Sequence, residues 1–133
     1  MYKRQPRDCR ELADVVAREH GHIHASLGLG AAATLRLLQR CDALRRPERF
    51  EQVLLACEAD ARGRLGHESK PYPQALRLRL ALQAALAADT ATVATALQAQ
   101  PGLNPRTSGP QIGRAIEAVR EAAIEAALLV ATP

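Results

Sequence analysis

The sequence predicts an all-α protein, an irregular bundle of about five to six helices, and three observations carry that expectation. Apolar residues recur at helical spacing in one segment after another; no stretch alternates apolar and polar residues as a strand does; prolines and glycines fall between the periodic segments. Composition agrees with this. Hydrophobic residues make up 47% of the 133 residues but aromatics only 2%, so Leu, Ala, Val and Ile must fill the core. These include the strongest helix formers, and the length suits one compact domain.

From Pro6 the first predicted helix sets Leu12, Val15, Val16 and Ile23 on one face and Arg10, Asp14 and Arg18 on another, with Gly28 and Gly30 ending it. The second covers residues 31–44, with Leu35, Leu38 and Cys41 or Asp42 inward and Arg36 and Arg40 outward. Pro47 suits the first turn of the third, where its missing N–H is harmless. Phe50, Val53, Leu54, Cys57 and Ala61 then repeat at 0, 3, 4, 7 and 11, the cleanest amphipathic stripe in the chain. Gly63 and Gly66 close that helix, and residues 66–73 (GHESKPYP) read as a loop. A fourth helix over residues 73–88 carries Leu76, Leu80 and Ala84 on one side and Leu78, Leu82, Ala85 and Leu86 on another, which predicts burial between neighbours. Residues 90–98 form a short fifth helix, and residues 101–110 (PGLNPRTSGP) a connector. The last helix is expected to take Pro110 into its first turn and to bury Ile112, Ile116, Val119, Ala123 and Val130.

No run of about 18 uncharged apolar residues is present and no apolar segment follows a basic start, so no membrane span or secretory signal is expected and the parent protein is expected to be cytoplasmic. Cys9, Cys41 and Cys57 match neither a zinc knuckle nor a CxxC redox pair and read as reduced apolar residues. The net charge of +4 comes almost wholly from arginine, because lysine occurs only at Lys3 and Lys70. Arginine forks suit phosphate, although arginine bias also follows from a GC-rich genome. Tyr2, Lys3, Arg4 and Gln5 are what the sequencing-library transposon end TATAAGAGACAG encodes in frame, with Met1 from a GTG start. Residues 1–5 are therefore expected to be an adapter artefact, and without Lys3 and Arg4 the charge is +2.

The segment RPERFEQVLLACEADARGR, from Arg46, is followed by LGHESKPYPQ. Its Pro-led amphipathic helix ends in Glu58, Ala59, Asp60, Ala61, Arg62, Gly63 and Arg64, and Tyr72, Pro73 and Gln74 follow a short loop. This order resembles the body of bacterial CCA-adding tRNA nucleotidyltransferases, of the multifunctional type with an HD domain. Residues 8–24 resemble that family's helix ending in a His-rich turn, and residues 35–42 its Leu-Arg-Leu-Leu-x-x-x-Asp helix. Gly109, Pro110, Gln111, Ile112 and Gly113, with Arg120 and Ile124, resemble its carboxy end. The resemblance implies that residues 6–133 are the helical carboxy-terminal region of such an enzyme, residues 6–30 being the end of the HD-type region and residues 31–133 the carboxy-terminal helical region.

Glu58 and Asp60, two residues apart on a helix, diverge by about 200° and cannot form one acid/base pair or one metal site. Each has an arginine four residues on, Arg62 and Arg64, in the favourable acid-first orientation. Salt bridges locking a helix end are one reading of this signature, with Glu58, Asp60, Gly63, Tyr72 and Pro73 as its structural residues. Contact of Arg62 or Arg64 with tRNA phosphate is the other. Arg45, Arg46 and Arg49, which cluster around the same helix, join them as candidate RNA contacts. His20 and His24, four apart, could share a metal ion but supply only two ligands, with Glu19 and Asp14 on other faces; surface and interface histidines are the plainer reading.

The resemblance implies a parent that adds C, C and A to tRNA 3′ ends from CTP and ATP, with Mg²⁺ held in an amino-terminal head. No strand bearing Asp-x-Asp and no Gly-rich phosphate loop is present, and Gly28-Leu29-Gly30 reads as a helix stop. No catalytic residue and no bound cofactor are therefore expected in this part, which alone is expected to be inactive. Its implied role is to hold tRNA by backbone and shape. Two alternatives remain: part of an HD-type metal-dependent phosphohydrolase, whose ligand motifs would lie upstream of His20, and a purely structural helical interaction module.

Overall fold

The computed structural model describes residues 6–64, 66–102 and 105–131; the expectation for residues 1–5 lies outside them. The described chain is helical throughout, with α1 Pro6–His24, a 3₁₀ turn at Ser26–Gly28, α2 Ala31–Arg40, α3 Pro47–Arg62, α4 Pro73–Ala87, α5 Thr90–Gln98 and α6 Pro105–Ala131. α1 lies against α3, while α6 is the common support on which α2, α4 and α5 pack. This is an all-α bundle, as its periodicity predicts.

The inward stripe of α3 is buried at Phe50, Val53, Leu54 and Cys57, where it meets Val15 and Ile23 of α1 and Leu35, Leu37 and Leu38 of α2 in one continuous core. Burial pushes the Cys41 thiol up to about 12 and the Cys57 thiol up to about 11, so both stay protonated and act as small apolar groups.

Helix ends depart from the periodic pattern where local hydrogen bonding intervenes. α1 stops at His24 rather than at the glycines: the 3₁₀ turn takes over, and the Ser26 hydroxyl donates to the Ile23 carbonyl (2.7 Å). Gly30 instead precedes α2 as its N-cap. α2 ends at Arg40, short of residue 44, because Asp42 adopts a left-handed φ of 56°. The Asp42 N–H then donates to the Gln39 carbonyl and the Ala43 N–H to the Leu38 carbonyl, the paired bonds of a Schellman ending. Asp tolerates this backbone better than most residues other than glycine. Arg18 and Arg49 donate to the Arg40 and Cys41 carbonyls and satisfy further acceptors at that end.

α4 is buried on one side only. Leu78, Ala81, Leu82 and Ala85 face the core, while Leu76 and Leu86 are exposed, correcting the expectation of burial on two sides. Pro73–Gln98 has the length and apolar composition of a membrane span, but Ala88 turns extended and Asp89 caps α5 by accepting from the Thr92 N–H (3.1 Å). The resulting 15- and 9-residue helices are each shorter than the roughly 20 residues a crossing needs.

α6 begins at Pro105, not Pro110, so part of the predicted connector is helix and Pro110 lies inside it. Ile124 and Leu128 are buried in it, whereas Val130 is 88% exposed and leaves the predicted stripe. Ile112, Ile116, Val119 and Ala123 are half-buried.

Candidate nucleic-acid interface

α3 holds the candidate arginines at its two ends, which its 16 residues separate by about 24 Å. At the amino-terminal end the charges are answered. Arg46 pairs with Glu11 (3.0 Å) and reaches Asp8 (3.9 Å); Arg49, its side chain only 12% exposed, pairs with Glu11 (3.4 Å) and donates to the Cys41 carbonyl (3.2 Å). These bonds tie α3 to α1. The Glu11 carboxyl, although desolvation acts to raise it, is held below its ordinary range by Arg7 and Arg46. Arg45 is 82% exposed and lies 3.7 Å from Asp42.

At the carboxy-terminal end the signature residues separate as their spacing requires. Glu58 pairs with Arg62 (2.9 Å), whose Nε also donates to the Lys70 carbonyl (3.1 Å) and so fastens the following loop. Asp60 does not take Arg64 as its partner. It turns to His24 of α1, Oδ2 lying 3.0 Å from Nε2, and this hydrogen bond chiefly holds the Asp60 carboxyl below its ordinary range. An ionised carboxylate only accepts, so His24 Nε2–H donates, and in the neutral imidazole Nδ1 accepts from the Tyr72 hydroxyl at 2.7 Å. The Tyr72 phenol stays protonated, raised by burial and by the nearby Cys57, Asp60 and Glu58. Gln74 completes the junction by donating to the His24 carbonyl (2.9 Å). His24, Asp60, Tyr72 and Gln74 therefore join α1, α3 and α4, which gives Tyr-Pro-Gln its place in the signature.

Pro73 opens α4 in its first turn, and Gly63 follows α3 with a Cβ position only 3.2 Å from the Ala59 carbonyl oxygen. A side chain there would make a tight contact that the neighbouring carbonyl relieves only by moving a few tenths of an ångström.

His20 and His24 stack edge to face with ring centroids 5.9 Å apart, but they do not converge on an ion. His20 Nδ1 donates to the Val16 and Ala17 carbonyls, and both nitrogens of His24 are engaged. Glu19 is turned away, buried between Arg18 and Arg40 (both 3.1 Å). Among the described residues no three His, Cys, Asp or Glu side chains come together as a metal set, and Glu58 and Asp60, bonded to Arg62 and His24 respectively, do not fit a two-metal centre.

Beside the junction lies an open cavity of about 340 Å³, with Arg62, Arg64, His67 and Lys70 on its wall together with Leu27, Pro71 and Tyr72. Among the described residues no carboxylate lines it. The side chains of Arg64, His67 and Lys70 carry no hydrogen bond or ion pair among the described residues, which sets this end of α3 apart from the other. Sequence reasoning singled out Arg62 and Arg64 but missed His67, Lys70 and Leu27. The only signal for the first two was their position in the loop between the paired motifs; nothing local pointed to Leu27, which arrives from the turn after α1.

The chain is 60% identical over 122 residues to the protein named "Multifunctional CCA protein" of Paracidovorax citrulli (strain AAC00-1), a match over 92% of this chain and 28% of that protein. It is 57% identical over 121 residues to the protein of the same name from Acidovorax sp. (strain JS42), and 66% identical over 91 residues to that of Ralstonia nicotianae (strain ATCC BAA-1114 / GMI1000). These cover 91% and 68% of this chain, and 27% and 21% of the relatives. The chain thus spans less than a third of the length of the curated relatives it matches. No protein-family model matches it, and no solved structure matches it significantly.

Proposed function

The chain belongs to the multifunctional CCA protein family, and from that premise we propose that it is the carboxy-terminal, tRNA-holding part of an enzyme that adds C, C and A to tRNA 3′ ends from CTP and ATP. The observation that carries the holding role is the exposed pair Arg64 and Lys70 beside Arg62 at the end of α3, neither side chain in a hydrogen bond or ion pair among the described residues. Backbone phosphate is the complementary partner, because arginine forks match its oxygens and such contacts orient an RNA without reading its sequence. Arg46 and Arg49 are occupied by Glu11 and fit better as a clamp between α1 and α3. The role of this part is positioning: the junction of His24, Asp60 and Tyr72 fixes the loop that presents the cations. Nucleotidyl transfer and the Mg²⁺ it requires are assigned to a head outside this chain, so the 133-residue chain alone is inactive.

The test is tRNA binding by the chain across a range of salt concentrations, with and without the double change Arg62→Ala, Arg64→Ala. A phosphate role predicts about tenfold weaker binding and a salt dependence shallower by about one for each arginine lost. If tRNA affinity falls no further than the parallel loss of folding stability explains, this end of α3 is purely structural and the holding role fails.

A further inference from the structure

The cavity beside α3 has a lining of two unlike kinds. Part of it is the cations Arg62, Arg64 and Lys70; part is Leu27, which is 48% exposed, Pro71 and the Tyr72 ring. A surface that only tracked a nucleic-acid backbone would need the cations alone. Its volume of about 340 Å³ falls in the range of small-ligand sites, roughly 300–1,000 Å³, and exceeds what one phosphate group requires. The cavity floor is also organised before any ligand arrives. The Tyr72 hydroxyl is committed to His24 and the Arg62 Nε to the Lys70 carbonyl, so ring and loop are held in place while Arg64 and the Lys70 ammonium remain free to bond outward. An anion joined to a flat, largely apolar ring matches this combination of linings.

We propose that the cavity binds one nucleotide unit, its phosphate on Arg64 and Lys70 and its base against Leu27, Pro71 and Tyr72. This rests on the RNA role proposed for the same end of α3, and it adds a discrete, saturable site for a single nucleotide where that role needs only a charged surface. The nucleotide is either a free nucleoside monophosphate or an unstacked unit of the RNA; both present the same chemistry. An acidic peptide would satisfy the cations but leave the apolar lining without a matching ring.

Titration of the 133-residue chain with AMP, CMP and inorganic phosphate, followed by calorimetry and by amide chemical shifts, tests the proposal. AMP and CMP are expected to bind at one site and at least tenfold more tightly than inorganic phosphate, with shifts centred on residues 27, 62–64 and 70–72. Arg64→Ala with Lys70→Ala, both exposed side chains without ion pairs among the described residues, should weaken AMP at least tenfold. Leu27→Ser should weaken AMP at least threefold and leave inorganic phosphate unchanged. Displacement of AMP by tRNA identifies the ligand as a unit of the RNA, and simultaneous binding identifies it as a free nucleotide. AMP that binds no better than inorganic phosphate, or binding untouched by the Arg64 and Lys70 changes, overturns the proposal. In that event retained, arginine-dependent tRNA binding leaves the holding role standing; conversely, AMP binding as expected but without tRNA binding removes the holding role alone.

Discussion

Glu19 shows how one carboxylate can be costly and stabilising at once. It is almost fully buried on α1, and desolvation acts to raise its carboxyl, but bonds from Arg40 and Arg18 outweigh that cost and hold it below the ordinary glutamate value of 4.5. Arg18 also donates to the Arg40 carbonyl, so the group fastens α1 to the end of α2. Glu19→Gln should destabilise the chain by about 1.5–3 kcal/mol at pH 7, the range for hydrogen bonds to charged groups, because the half-exposed arginines can turn to water once released. The pH dependence follows from the sign of the shift. A depressed carboxyl contributes its full stability above pH 4.5 and loses it as pH falls through the lowered folded value. Urea unfolding at pH 7 and pH 3 should therefore show the variant's deficit shrinking in acid. A deficit that stays constant would mean that Glu19 acts through packing, not charge.

At the scale of the element, α2 and α6 show where periodicity misplaces a boundary. The apolar pattern of α2 runs on to Leu44, but the backbone turns at Asp42, and the Schellman bonds bury Leu38 and Ala43 together. In α6 the Gly and Pro content of residues 105–113 signals a connector, yet the segment is helical because the helix continues into the face that packs on α4 and α5. Its glycines consequently weaken it. Gly113 is exposed in the helix interior with nothing within 4 Å of the place a methyl group would occupy, so Gly113→Ala should stabilise by about 0.5–1 kcal/mol. Thermal unfolding together with amide exchange in α6 measures this, and an unchanged or lower midpoint would show that the added methyl brings no helix-propensity gain.

For the molecule as a whole, stability depends on a core with little aromatic material. Phe50 is the chain's only phenylalanine and is 1% exposed, at the point where α3 enters the cluster shared with α1 and α2. Phe50→Ala should cost about 3–5 kcal/mol, since the aliphatic side chains around it cannot collapse fully into the space. Domains have a net stability of only about 5–15 kcal/mol, so a large lowering of the urea midpoint is expected, and a loss under about 1 kcal/mol would mean that the core repacks freely. The same whole-molecule view separates arginines that look equivalent along the chain. Arg45, Arg46 and Arg49 fall beside acids from α1 or the α2 ending, while Arg64 faces open space beside Lys70.

Much of this protein is determined by the order of its residues. Helical class, the proline starts of α3 and α4, the inward stripe of α3 and the divergence of Glu58 from Asp60 all follow from a period of 3.6 residues and from the chemistry of proline. The Glu58–Arg62 pair, one turn apart, was legible for the same reason. Tertiary structure decided what each charge meets. His24 reaches Asp60 across 36 residues and Tyr72 across 48, Arg40 reaches Glu19 across 21, and no local spacing encodes those distances. Partner choice thus divided one expected arginine cluster into a clamp at one end of α3 and, at the other, a cavity lined by the paired Arg62 and the exposed Arg64. Coulomb attraction and hydrogen bonding act between neighbours in space, and only the packed helices determine which side chains become neighbours.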